Sequence, residues 1–95
     1  MLVPYKKNQY ALRAIYELAR RYGEGPTKVV TIANRQAIPI RFLEVILNQL
    51  KHCGIVQSKR GFQGGYYLLC QPQDISVGDV MRFMEPKRAT MNFLK

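Results

Sequence analysis

One small, mostly α-helical domain with a single β-hairpin is the fold class this sequence predicts, on three observations. The chain has 95 residues, room for one domain and too little for two. Its apolar residues recur at three- and four-residue intervals over two stretches, the period of helices packed along one face. A third stretch places two short β-prone runs around a glycine-rich turn, Arg60-Gly-Phe-Gln-Gly-Gly65. Hydrophobic residues make up 47% of the chain, which is the composition of a folding sequence rather than a disordered one. A chain this short buries only about two-thirds of its unfolded surface, so its core is thin.

From Tyr5 to Tyr22 the apolar positions Ala11, Ile15, Leu18 and Tyr22 share one line, with Leu12, Tyr16 and Ala19 beside it. Lys6, Lys7, Arg13, Arg20 and Arg21 take much of the remaining surface of this first helix; Gly23 stops it and Gly25-Pro26 turns the chain. Residues 27–38 fit two readings. Four consecutive residues from Val29 to Ile32 favour a strand by propensity, whereas Val29, Ile32, Ala33 and Gln36 fit a short helix about as well. Pro39 then sits where a first helical residue is preferred, because its missing N–H has no partner to lose there. Leu43, Ile46, Leu47 and Leu50 form an i, i+3, i+4, i+7 stripe, and Gly54 stands at the C-terminal cap. The side away from that stripe carries Arg41, Glu44, Val45, Asn48 and His52, a mixture unusual for a face that is merely solvated. Ile55–Lys59 and Tyr66–Leu69 read as the strands of the hairpin. A capping box, Ser76 with Asp79, opens a last helix with Val77, Val80, Met81 and Met84 on its apolar side, and Glu85-Pro86 ends it. Residues 1–86 are thus expected to form the domain and 87–95 a short C-terminal tail.

Fifteen Lys and Arg against six Asp and Glu leave a net charge of +9. Residues 1–71 hold 11 of those cations and three acids (Glu17, Glu24 and Glu44), while residues 72–95 hold four cations and three acids. The excess is spread along the folded part rather than gathered in a tail, which predicts a positive face and a polyanionic partner, against the plainer alternative of an ordinary basic protein. Two cysteines, 53 and 70, make neither a disulfide scaffold nor a C-x-x-C zinc pair. No signal-length apolar run and no stretch of about 18 apolar residues is present, so a cytoplasmic protein away from the membrane is expected. One histidine, no activated Ser or Cys constellation and no carboxylate pair argue against an enzyme. With no G-K-[ST] in the chain, Gly61, Gly64 and Gly65 are expected to serve backbone geometry at positive φ rather than a nucleotide phosphate. Helix, short helix or strand, helix, hairpin and helix, with a basic surface, is the outline of a winged helix-turn-helix, in which the second helix of the turn motif enters the DNA major groove and the hairpin touches the neighbouring backbone or minor groove.

The segment from Ile38 through Phe42-Leu-Glu44 to Leu47, followed by Gly54-Ile-Val-Gln-Ser-Lys-Arg-Gly-Phe-Gln-Gly-Gly-Tyr66, resembles the Rrf-two family of bacterial winged-helix transcription regulators. Tyr10-Ala-Leu-Arg-Ala14, Ile32-Ala33 and Val77-Gly-Asp-Val80 are similar to the same family. The likeness covers roughly residues 5–85, and its specific part is the Ser58-x-Arg-Gly…Gly-Gly-Tyr66 hairpin beginning 14 residues past Glu44. The resemblance implies a helix over the ambiguous stretch, a recognition helix at about 39–52 and a wing at 55–69. It implies base readout by Arg41, Glu44 and Asn48, with Glu44 as the acidic position that discriminates sequence; a carboxylate can accept from a cytosine amino group. The alternative for Glu44 is a solvated helix residue. Arg60 matches the wing-tip arginine of the minor groove, with Ser58 and Lys59 bonding phosphates. Lys6, Arg35 and Phe42 are further candidates at the DNA backbone, Phe42 having a place in the core as its alternative.

Many relatives hold an iron–sulfur cluster on three cysteines after the last helix of the winged domain and continue into a long dimerisation helix. Here no cysteine follows Cys70, so no cofactor and no metal site are expected within the chain. Cys53 and Cys70 are expected as small buried apolar groups, and His52 as a solvated helix-end residue. The expected partner is double-stranded DNA, with no small-molecule substrate evident. A homodimer is possible through another surface, such as the first or last helix or the tail Met91–Leu94. The alternative function is a winged-helix protein-interaction module that has lost its sensor and dimer helix.

Overall fold

The computed structural model describes residues 2–84, and the expected order of elements is present. Three helices, α1 (Leu2–Arg20), α2 (Val29–Gln36) and α3 (Ile40–His52), precede the hairpin strands β1 (Val56–Lys59) and β2 (Gly65–Leu68). A single 3₁₀ turn, Pro72–Asp74, leads into α4 (Val77–Phe83). The proposed tail at 87–95 and the Glu85-Pro86 stop lie outside the described residues.

The core is the meeting point of α1, α2 and α3, closed below by the wing and α4. Helix α1 contributes Ala11, Ala14, Ile15 and Leu18; its two alanines let neighbouring helices approach closely. Tyr22, placed by periodicity on the same line, falls beyond the end of the helix and is exposed. The ambiguous stretch is helical. Ile32 and Ala33 are buried on the inner side of α2, and that burial outweighs the strand propensity of its β-branched residues. The turn to α3 passes through Ala37 at φ 53°, the one non-glycine residue with positive φ among the described residues. Its N–H closes the helix onto the Ala33 carbonyl.

Pro39 is the N-cap of α3, in extended conformation (φ −60°, ψ 131°), one position before the first helical residue expected for it. Leu43, Ile46, Leu47 and Leu50 are all buried, as the stripe predicts. The hairpin is antiparallel, Val56 opposite Leu68 and Lys59 opposite Gly65, with Leu69 N–H to Ile55 O continuing the ladder. Thr27 adds a third strand position beside it: Thr27 and Tyr66 exchange two backbone hydrogen bonds of 2.8 Å. This bridge needs glycine at position 65, where a Cβ would overlap the Thr27 carbonyl. Gly61 and Gly65 take the expected positive φ, but Gly64 is required for close approach instead, since a Cβ there would overlap Lys59 O.

The capping box of α4 is formed, Asp79 N–H donating to Ser76 Oγ at 3.0 Å. Val80 and Met84 are buried, whereas Val77, assigned to the same apolar side, is exposed in the first turn of this short helix. The cysteines also differ from expectation: Cys53 caps the exposed end of α3 and Cys70 is half-buried, because both follow elements that end at the surface.

Candidate nucleic-acid interface

Burying Leu43, Ile46, Leu47 and Leu50 forces the opposite side of α3 outward. Arg41, Glu44, Val45 and Asn48 are exposed there, within two turns of one another. His52 is also exposed, its Nδ1 3.2 Å from the Asn48 carbonyl oxygen, in the helix-end position expected of it. Phe42 is not a core residue. It is 54% exposed, and its ring stacks on Tyr10 of α1 with centroids 6.3 Å apart. Helical spacing places Lys6 and Arg13 on either side of Tyr10, at 5.7 and 5.3 Å from its ring. The start of α3 is therefore flanked by two cations and two aromatic rings. Tyr10 and Arg13 are not among the DNA-contact candidates expected from the sequence, although the i, i+4, i+7 spacing of Lys6, Tyr10 and Arg13 carries the signal.

The wing supplies the second group. Lys59 and Arg60 are exposed at the end of β1, and Ser58 is half-buried beside them. Lys51 Nζ donates to Ser58 Oγ at 3.0 Å, which joins the last turn of α3 to the wing. Lys28 Nζ donates to the Phe62 carbonyl oxygen at 2.9 Å, joining the hairpin tip to the start of α2. Residues 27–71 carry six cationic side chains and a single acid, Glu44. An acid on so basic a surface is conspicuous, since it repels phosphate wherever it is not paired with a base edge.

Arg35 lies on α2 and belongs to a second cluster, around Glu17, that the sequence did not reveal. Glu17 is fully buried and accepts from Arg21 Nε at 2.7 Å and Gln36 Nε2 at 2.8 Å. Arg20 Nη1 stands 3.4 Å and Arg35 Nε 3.8 Å from the same carboxylate. Burial pushes this carboxyl up, but the hydrogen bonds from Arg21 and Gln36 and the charges of Arg21 and Arg20 outweigh it and hold the group below the ordinary carboxylate range. Arg13 Nη2 also donates to the Gln36 carbonyl oxygen, so the C-terminal end of α2 is fastened to α1 twice. Arg35 keeps 51% of its side chain exposed, free to meet a further anion.

Among the described residues no three His, Cys, Asp or Glu side chains come together as metal ligands, and the donors present do not fit an iron site. No helix among them is long and apolar enough to cross a membrane.

Comparison with known proteins agrees with this fold. The chain is 39% identical over 79 residues to the HTH-type transcriptional regulator CymR of Bacillus subtilis, a match covering 83% of this chain and 57% of that protein. It is 39% identical over 75 residues to the HTH-type transcriptional regulator IscR of Aliivibrio salmonicida, covering 79% of this chain and 45% of that one. The chain thus spans about half the length of these relatives. Among solved structures, IscR of T. potens superposes with a TM-score of 0.81 at 35% identity, over 93% of this chain and 70% of that one. The structure of B. subtilis CymR gives 0.80 at 39% identity, over 83% and 61%. The shared architecture is the winged helix-turn-helix, with four helices and a two-stranded wing. A family model described as "Iron-dependent Transcriptional regulator" matches residues 5–93, and the chain belongs to that family, Rrf2.

Proposed function

We propose that this chain is a sequence-specific DNA-binding transcriptional regulator that lays α3 in the major groove and sets its wing against the adjoining backbone and minor groove. The observation that carries the reading is the exposed face of α3, where Arg41, Glu44 and Asn48 stand together opposite the buried stripe and next to a wing bearing Lys59 and Arg60. Arg41 reaches guanine or a phosphate, Glu44 accepts from a cytosine amino group, and Asn48 has the donor and acceptor pair that fits adenine. Arg60 enters the minor groove while Ser58 and Lys59 bond phosphates. Lys6 and Arg35 neutralise backbone on the flanks, and Phe42, stacked on Tyr10, turns its exposed ring to the backbone next to Lys6. The relatives' names as transcriptional regulators support the same reading.

In this reading the partner is double-stranded DNA in the bacterial cytoplasm, the chain performs no catalysis, and residues 2–84 contact DNA without a metal or other cofactor. Two copies related by a two-fold axis read an inverted repeat. The test is selection from a randomised duplex library at moderate salt, with sequencing of the bound fraction. An enriched inverted repeat supports a two-fold reader, and a single enriched half-site supports a one-copy reader. No enrichment by the folded protein overturns sequence-specific binding and favours a protein-interaction module. If six to eight cations neutralise phosphates, log K falls with log[salt] at a slope of about −5 to −7.

A further inference from the structure

Phe62 is 87% exposed, more than any other large hydrophobic residue between residues 6 and 84. It sits at the apex of the hairpin, two residues past Arg60, and the base-reading face of α3 makes no use of it. An isolated exposed leucine or valine is ordinary, but this ring stands on a rigid mount. Lys28 Nζ holds the Phe62 carbonyl oxygen at 2.9 Å, and the turn beneath is closed by Gly64 N–H to Gly61 O at 2.9 Å. The Thr27–Tyr66 bridge and the Lys51–Ser58 hydrogen bond fix the hairpin to the segment leading into α2 and to α3. The backbone of the apex is therefore pinned while its aromatic side chain projects into solvent.

The surroundings say what the ring meets. Lys28 reaches the Phe62 carbonyl oxygen, Lys59 and Arg60 precede Phe62 by three and two residues, and no acid occurs in the sequence between Glu44 and Asp74. An apolar groove on a protein partner would have to accommodate these cations, whereas a DNA minor groove is attractive to them. We propose that Phe62 is an apolar wedge that enters the minor groove next to Arg60 and parts a base step there. The proposal rests on the DNA-binding reading above and adds to it a site of DNA deformation. Aromatic and aliphatic wedges of this kind unstack one step and bend the duplex toward the major groove, most easily at pyrimidine–purine steps. The wing then selects sequence by deformability, at a position where no hydrogen bond reads a base edge. Because the wing is fixed to α3, the selected step lies at a constant distance from the bases that α3 contacts.

The experiment uses the 95-residue chain and the duplex enriched from the library, with 2-aminopurine substituted in turn at adenines of the pyrimidine–purine steps flanking the α3 contacts. Its fluorescence is quenched by stacking and rises on unstacking. The wild-type chain is expected to raise the signal at one step per wing, and Phe62→Ala to abolish the rise while binding about tenfold more weakly, the order of one aromatic–base stack. Phe62→Leu, which keeps an apolar wedge, retains most of the rise. Neither substitution removes a packed residue, so both proteins keep the wild-type melting temperature. Tight binding with no rise overturns the wedge and leaves the DNA-binding reading standing. A rise that persists in Phe62→Ala also overturns it, since another group is then responsible. A folded chain that binds no duplex overturns both.

Discussion

Replacing Glu17 by glutamine tests how firmly the buried carboxylate fastens α1 to α2. The side chain is fully buried and accepts from Arg21 at 2.7 Å and Gln36 at 2.8 Å, joining α1 to the end of α2. Glutamine keeps the volume and one acceptor oxygen, but it removes the charge that Arg20, Arg21 and Arg35 share and sets an NH₂ group against guanidinium. Removing one partner of a fully buried ion pair costs about 3–5 kcal/mol. Here the arginine side chains keep 29% (Arg21), 44% (Arg20) and 51% (Arg35) of their surface in water, so solvent recovers part of that loss. About 2 kcal/mol remains, which for a domain of this size lowers Tm by about 10 °C. It is also a sizeable part of the 5–15 kcal/mol that holds a typical domain folded.

The same residue makes a pH prediction whose sign is fixed. The folded-state pKa of Glu17 lies below its reference value of 4.5. Its contribution is therefore complete above the unfolded pKa and is lost as pH falls through the lower folded pKa. Urea unfolding followed by circular dichroism, from pH 7 down to pH 3, should show the wild-type advantage over Glu17→Gln narrowing below about pH 4.5. Asp79, also held below its ordinary value chiefly by its hydrogen bond with Ser76, titrates identically in both proteins and drops out of the difference. A Tm change under about 3 °C, or stability curves that stay parallel down to pH 3, would refute the argument.

Three further outcomes follow from the interface and its turn. Arg60→Ala should weaken binding to all duplexes by a similar factor and flatten the salt slope by about 1, as read by fluorescence anisotropy. Glu44→Ala should leave overall affinity nearly intact while relaxing preference at one base pair by about 1–3 kcal/mol, measured by repeating the library selection. Ala37→Gly relieves a left-handed conformation (φ 53°) in the turn between α2 and α3, and should raise stability by about 0.5–1 kcal/mol in urea unfolding without changing DNA affinity.

What was legible in the sequence is what repeats with a period or occupies a punctuating position. The Leu43–Leu50 stripe fixed which side of α3 faces inward, and with it the outward placement of Arg41, Glu44 and Asn48. Gly54 and the Ser76–Asp79 box marked a helix end and a helix start by local chemistry. The illegible parts depend on residues distant in the chain. Val29–Ile32 is strand-like locally and becomes helix through burial of Ile32 and Ala33 against other helices. Glu17 reads as one more surface acid of an amphipathic helix until Gln36, 19 residues on, is brought to it. Phe42 resembles a core residue by composition and adjacency, yet one step of 100° places it outside the stripe, where Tyr10 receives it. Cys53 and Cys70 carry no periodic signal, and residue type alone misplaced them in the interior.

The wing's attachment to α2 ties these parts into one reading head, and Gly65→Ala tests it. A Cβ at position 65 would overlap the Thr27 carbonyl, and φ 152° is one that side chains rarely adopt. Both atoms crowded at Thr27 belong to the backbone, so the clash is relieved only by separating β2 from Thr27. That separation breaks the two 2.8 Å hydrogen bonds between Thr27 and Tyr66, a loss of about 2 kcal/mol at roughly 1 kcal/mol for each. The stripe of α3 and the inner faces of α1 and α2 are untouched, so the domain remains folded with a wing displaced from its mount. Arg60 then no longer meets the minor groove at its fixed distance from α3. In a double-mutant cycle on DNA affinity, Gly65→Ala and Arg60→Ala should be strongly non-additive, the second substitution adding little once the first is present. Additive losses would mean that Arg60 finds its groove without help from the bridge, and that wing and recognition helix bind as independent parts.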